Sequence, residues 1–280
     1  MQHRDTTTDY MSQPRPGASP VLFAPGFVST TDGMYGTVVF SPEQDQAFWA
    51  KDKRPGLFFS RLVAGRWTAP SEFPFKEGYR LSSPFFSADG ERLYFLAAHH
   101  GESGLDENDE IWVVDRTRDG WGVPRELDSL VNSVRGIHWQ FSVDEAGDVY
   151  FGGEGADLYV AEFQNGKYRM PVRLPPSINT DAPETGPEIS RDGSMLLFDR
   201  WFDSSPYIRI MVSFRNRTGA WSEPIELSSQ TGAEQNDMAA RLSPDEKYLF
   251  FQSQRAGSDP NRSLYWMEAG FLSGLRQQAQ

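Results

Sequence analysis

A chain of 280 residues without a single cysteine excludes disulfides, thiolate catalysis and cysteine-ligated zinc. Its 39 acidic and 27 basic residues leave a formal charge of −12, the wrong sign for holding a phosphate backbone, so no nucleic-acid partner is expected. No apolar run approaches the ~20 residues that span a bilayer, and no membrane insertion is expected either.

Residues 1–20 are polar and rich in Pro, Ser and Thr, without the apolar centre of a signal peptide. As written the chain reads as cytoplasmic; with a signal segment removed it reads as periplasmic or secreted. The compartment stays open. Residues 1–18 are expected to be a disordered tail. The first apolar segment, Val21-Leu22-Phe23-Ala24, stands alone before anything regular begins.

From Phe40 onward one phrase recurs five times. An apolar strand ends in Ser, turns through a short acidic pair, returns as an aromatic strand, and leads through a loop into a third strand. Its clearest copies are Phe86-Ser87-Ala88-Asp89-Gly90 with Leu93-Tyr94-Phe95, and Ile189-Ser190-Arg191-Asp192-Gly193 with Leu196-Leu197-Phe198. The anchors Ser41, Ser87, Ser142, Ser190 and Ser243 stand 46 to 55 residues apart. Short strands repeating at that period are the signature of propeller blades. Aromatic pairs fill the second strands: Phe48-Trp49, Tyr94-Phe95, Tyr150-Phe151, Phe250-Phe251, and Leu197-Phe198 in the fourth. Continuous apolar character there implies burial on both faces.

A fourth, outer strand is marked in the first four units by Trp67-Thr68-Ala69-Pro70, Trp121-Gly122-Val123-Pro124, Tyr168-Arg169-Met170-Pro171 and Trp221-Ser222-Glu223-Pro224. Proline suits an edge, where a missing N–H harms no ladder. The fifth unit lacks this mark, and Val21-Leu22-Phe23-Ala24 lacks a sheet. The pattern predicts an all-β, five-bladed β-propeller with four-stranded antiparallel blades, its ring closed by an N-terminal strand. One domain would span 19–273, with 274–280 a disordered tail.

The phrases Ser87 to Phe95, Glu110 to Val114, Trp121 to Leu127 and Trp221 to Leu227, with the linker Ile178-Asn179-Thr180, resemble the WD-like propeller repeats of many bacterial proteins. Among these is the propeller domain of the Tol–Pal translocation protein, TolB. The resemblance covers roughly residues 26–268 and implies a fold; its packing and turn residues imply no particular reaction. Glu43-Gln44 and Asp144-Glu145 replace the usual Asp-Gly, and Arg209 and Ser263 stand where the third strand usually opens with an acid.

In such a ring the starts of the inner strands and the second-to-third loops share one face, opposite the Ser turns. The residues placed there are the candidates: Tyr35, Arg80, His138, Arg200, Trp201 and Arg255 for a ligand, with Glu184, Asp237 and His138 as a catalytic set. This mixed polar ring suits a peptide, protein or glycan, and a non-catalytic binding propeller is the first reading. The alternative is a glycoside hydrolase or lyase, with two carboxylates as acid and base and His138 moving a proton. The acidic loop 102–110, beside His99 and His100, reads as a solvated loop, so no metal and no cofactor are expected. The chain is expected to be a monomer.

Overall fold

The computed structural model describes residues 8–54, 56–99, 109–137, 139–202, 207–232, 236–255 and 263–279. It is a β-propeller of five antiparallel blades, each four strands wide. The inner strands are Val39–Phe40, Tyr79–Phe86, Phe141–Val143, Glu184–Ile189 and Asp237–Leu242. The second strands are Gln46–Ala50, Arg92–His99, Val149–Gly152, Met195–Trp201 and Tyr248–Ser253, and the third are Leu57–Val63, Glu110–Thr117, Leu158–Ala161, Ile208–Phe214 and Ser263–Glu268.

The anchor serines act through their side chains. In four blades the Ser Oγ accepts from the backbone N–H five residues on, at 2.9–3.0 Å, which ties the turn shut. In blade 3 the role passes to Asp144, which accepts from the N–H groups of Ala146 and Asp148 at 3.0 Å. Ser142 is then free to accept from Ile189 N–H of the next blade at 2.9 Å.

A second device pins the connection between blades. Asn132, Asn179 and Asn236 accept from the N–H of Ile111, Leu158 and Ile208, the opening apolar residues of three third strands, at 2.7–2.9 Å. Asn179 also donates to the carbonyls of Leu158 and Leu174, at 3.0 and 2.9 Å. In blade 5 Ser29, from the far end of the chain, brackets Leu264 in the same way at 3.3 and 3.4 Å.

The core is five main layers, one between each pair of neighbouring blades, with a small further cluster of Ile208, Met238 and Ala239. Successive residues of a strand point to opposite sides, so each pair on the second strand serves two layers. Phe48 packs toward blade 2 and Trp49 toward blade 5; Phe250 and Phe251 divide likewise between blades 1 and 4. The outer strands are not continuous. The aromatic forms a short ladder with the end of the third strand, the chain steps away at the proline, and a second ladder forms beyond it, as at Leu62↔Trp67 and Phe58↔Glu72 in blade 1. An N–H is absent where the strand breaks.

Closure follows the expected route. Val21 and Leu22 pair with Trp266 and Tyr265. Phe23 is fully buried, its ring 5.1 Å from Phe250, 5.2 Å from Trp266 and 6.0 Å from Phe40. Residues 8–18 and 274–279 are ordered where disorder was expected, while residues 1–7 and 280 lie outside the described residues. Thr8–Asp9 pairs with Gln13–Pro14, and Tyr10, only 3% exposed, donates to Asp245 at 2.9 Å while accepting from Gln44 at 3.1 Å. That hydroxyl bridges the Ser turns of blades 5 and 1. Residues Phe271–Gln278 form a helix that buries Leu272 and Leu275 against blades 4 and 5. Burial of a few well-placed apolar side chains outweighs polar composition in both tails.

Phe23→Ala is expected to cost about 3–5 kcal/mol in denaturant unfolding. Val123→Ala, at a site 87% exposed, should stay within about 0.5 kcal/mol.

Candidate functional site

One residue in the left-handed region lies on or just before each inner strand, three to five residues before its anchor serine: Gly36, Ser83, Trp139, Gly186 and Ala239 (φ of 79°, 48°, 73°, 61° and 54°). Three of the five are not glycine, and that conformation costs ~1–3 kcal/mol for an L-residue. At Gly186 a Cβ would lie 2.7 Å from Asp199 Oδ2, so no other residue fits without movement. The twist turns backbone groups toward neighbouring blades, where side chains capture them. Ala239 N–H donates to Asp199 at 2.9 Å, Gln252 Nε2 donates to Gly36 O at 2.6 Å, and Ser83 Oγ donates to Trp139 O.

This twist also sets Trp139 on the loop-rich face. Its ring stacks on Tyr35 (centroids 6.4 Å, planes 14° apart) and meets the edge of Trp201 at 6.2 Å. Arg80 lies over the other part of the group, 4.9 Å from the Tyr35 ring, and donates to Asp109 Oδ1 at 3.0 Å. Three sequence candidates, Tyr35, Arg80 and Trp201, are thus brought together by a residue the sequence reading missed. Trp139 was hidden because nothing in the repeat marks a non-glycine at positive φ. Asp109 was missed as one acid among many in an acidic loop. It is 4% exposed, and burial pushes its carboxyl up to about 6 against the pull of Arg80.

The remaining candidates lie elsewhere in role. Glu184 is fully buried and spends its acceptors on Thr180 N–H, Thr180 Oγ1 and Arg200 Nε, at 3.1, 2.6 and 2.8 Å. Arg200, itself 9% exposed, also donates to Ile178 O at 2.9 Å. Asp237 is buried beside Thr231, Ser253 and Arg255; burial raises its pKa while those neighbours oppose the rise. Arg255 donates to Thr231 O at 2.8 Å and packs over Tyr265. Both carboxylates are therefore held by groups local to their own blades. His138 lies outside the described residues, as do His100, Gly101 and residues 102–108 of the acidic loop. Among the described residues no group of three His, Asp or Glu could hold a metal.

The channel itself is filled. Two residues before each anchor stand Val39, Phe85, Gln140, Glu188 and Arg241, each on or next to an inner strand. Arg241 Nη1 donates to Glu188 at 2.6 Å, its guanidinium lies 4.8 Å over Phe85 of blade 2, and Gln140 donates to Ala240 O at 2.8 Å. Burial raises the pKa of Glu188 and lowers that of Arg241, each held back by the other. Below this plug, on the Ser-turn face, is a hollow of about 90 Å³ lined by Phe85, Leu242 and Pro244.

Among solved structures the folded chain is similar to TolB from Acinetobacter baumannii, with a TM-score of 0.54 and 16% identity over 83% of this chain and 56% of that one. The relation is structural. The putative TolB of Agrobacterium tumefaciens gives 0.53 at 16% identity, over 81% and 72% of the two chains. The catalytic domain of the Coprinopsis cinerea GH62 α-L-arabinofuranosidase gives 0.53 at 15% identity, over 90% and 96%. The TolB likeness read from the repeats holds for the fold, and this chain spans little more than half of the Acinetobacter protein's length. No protein-family model matches the sequence, and no curated protein does.

A buried acid whose pKa is raised on folding binds its proton more tightly in the folded state. Its favourable share of stability is whole below the unfolded value near 4 and is lost as pH climbs through about 6. Asp109→Asn should therefore flatten the decline in melting temperature between pH 4 and 6, measured against wild type across that window.

Proposed function

We propose that this protein is a non-catalytic binding propeller that takes a carbohydrate on its loop-rich face. The observation that carries this reading is the aromatic group of Tyr35, Trp139 and Trp201, two rings stacked and the third set across them, with Arg80 alongside. Rings presented this way offer a π surface to the apolar C–H face of a sugar. Arg80, its side chain 30% exposed, supplies donors at its edge for hydroxyl groups, and the buried Asp109 holds it in place. Trp201 is 39% exposed, so part of this surface is open to a ligand.

The hydrolase reading has less support. A glycosidase acid and base need free carboxyls facing the same bond, whereas Glu184 and Asp237 are each committed to arginine and hydroxyl groups nearby. The arabinofuranosidase likeness agrees with a sugar as ligand, though at 15% identity it reaches the fold alone. A proline- or aromatic-rich peptide is the competing ligand for the same rings.

A neutral-oligosaccharide array followed by calorimetry tests the proposal. Trp201→Ala should weaken the best sugar about tenfold, the scale of one aromatic contact, with an unchanged melting temperature. Absence of any bound sugar, or a sugar bound equally well by the variant, would count against it.

A further inference from the structure

The repeat contains an internal comparison between two arginines in matching places. Arg116 in blade 2 and Arg215 in blade 4 each pair across the outer hairpin with the marker tryptophan, Trp121 and Trp221. Each guanidinium lies over that tryptophan, at 5.7 and 4.5 Å. What faces them from the preceding blade differs. Arg215 donates to the Tyr150 hydroxyl at 3.0 Å and lies near the buried Asp144, whose charged form it favours. Arg116 instead meets Gln46, which is 7% exposed. With its carboxamide oxygen toward the guanidinium, Gln46 accepts from Nη1 at 3.1 Å and Nη2 at 3.0 Å. What reaches Arg215 across its seam is a tyrosine and an acid, whereas what reaches Arg116 is an amide.

The positive charge of Arg116 is therefore oriented but not neutralised. A hollow of about 300 Å³ opens beside it, on the Ser-turn face between blades 1 and 2. Arg61 from blade 1 and Arg118 from the blade 2 hairpin line the same space. Arg61 is packed over Phe59 at 5.1 Å, which fixes its stem. None of the three forms an ion pair among the described residues, although the adjacent Arg92 and Arg125 both pair with Asp115. The acids in the lining are Asp45, which accepts from Ser41 Oγ at 2.8 Å, and Asp119, exposed in the hairpin turn. In a chain of charge −12, three guanidiniums outnumber the two carboxylates around this hollow, and none of the three is in an ion pair among the described residues.

We propose that this seam is an anion site, and that it takes the phosphate or sulfate ester group of a larger ligand. Guanidinium groups match tetrahedral oxyanions through paired N–H donors, and Gln46 and Trp121 hold the central one ready. The hollow has more room than a lone tetrahedral anion fills, which leaves space for the group that bears the ester. A long polyanion is disfavoured by the overall charge. This site is separate from the aromatic face and stands whether or not that face binds sugar.

The test is calorimetric titration of the full chain with inorganic phosphate and sulfate at fixed ionic strength, then with glucose 6-phosphate and glucose 6-sulfate. Saturable binding is expected, at least tenfold weaker in Arg116→Gln and in Arg118→Gln, and unchanged in Arg66→Gln outside the hollow. Gln46→Glu installs the missing counter-charge and should abolish binding while preserving or raising the melting temperature. The ester bound more tightly identifies the source of the group. No saturable binding by any of the four anions would overturn the proposal. So would undiminished binding in both Arg116→Gln and Arg118→Gln, two positions on the surface side of the seam.

Discussion

The closed ring depends on the pairing of Val21 with Trp266 and of Leu22 with Tyr265. A blade in this ring buries both of its faces against neighbours, so an open ring would expose two aromatic surfaces at once. One carries Phe40 and Trp49, the other Phe250 and Trp266. Phe23 fills the space between them, Ser29 brackets Leu264, and Tyr10 ties the two Ser turns beneath. Closure by segments far apart in sequence also makes folding non-local, since blade 5 is incomplete until both ends of the chain are present. The strained residues around the channel persist because the closed ring over-determines them: Trp139 and Ala239 keep positive φ only while partners from other blades hold their backbone groups.

The fold was legible because its determinants are local and repeated. Ser followed by an acidic turn is visible at Ser87 and Ser190 for the reason it works, a side-chain acceptor five residues before the amide it ties. Aromatic pairs such as Phe250-Phe251 announce two-sided burial, and the unmarked fifth unit announces a borrowed strand. The tails were less legible. Tyr10, Leu272 and Leu275 are isolated apolar residues in polar surroundings, and their burial depends on surfaces made elsewhere in the chain.

The site was only partly legible, for a different reason. Position relative to a Ser anchor locates a channel residue, but Val39, Phe85, Gln140, Glu188 and Arg241 share no chemistry that a repeat could display. Listing the strand starts found Tyr35 and Arg80, yet the side chain that joins them to Trp201 is Trp139, aimed by a backbone conformation that residue type does not reveal. The same listing included Glu184 and Asp237, whose partners Arg200 and Arg255 lie across the sheet and hold them in place. The two faces thus differ in kind. One presents rings beside a half-buried ion pair, the other a seam whose arginine meets an amide rather than an acid.

The direct measurement of the closure on which all of this rests is native-state hydrogen exchange at Phe23 and Leu264, whose amides bond to Leu264 O and Ser29 Oγ across the junction. The account predicts that both exchange only with global unfolding, at the free energy found for the second strands of blades 2 to 4. Exchange several kcal/mol faster than those strands, by a local opening of the junction, would contradict it.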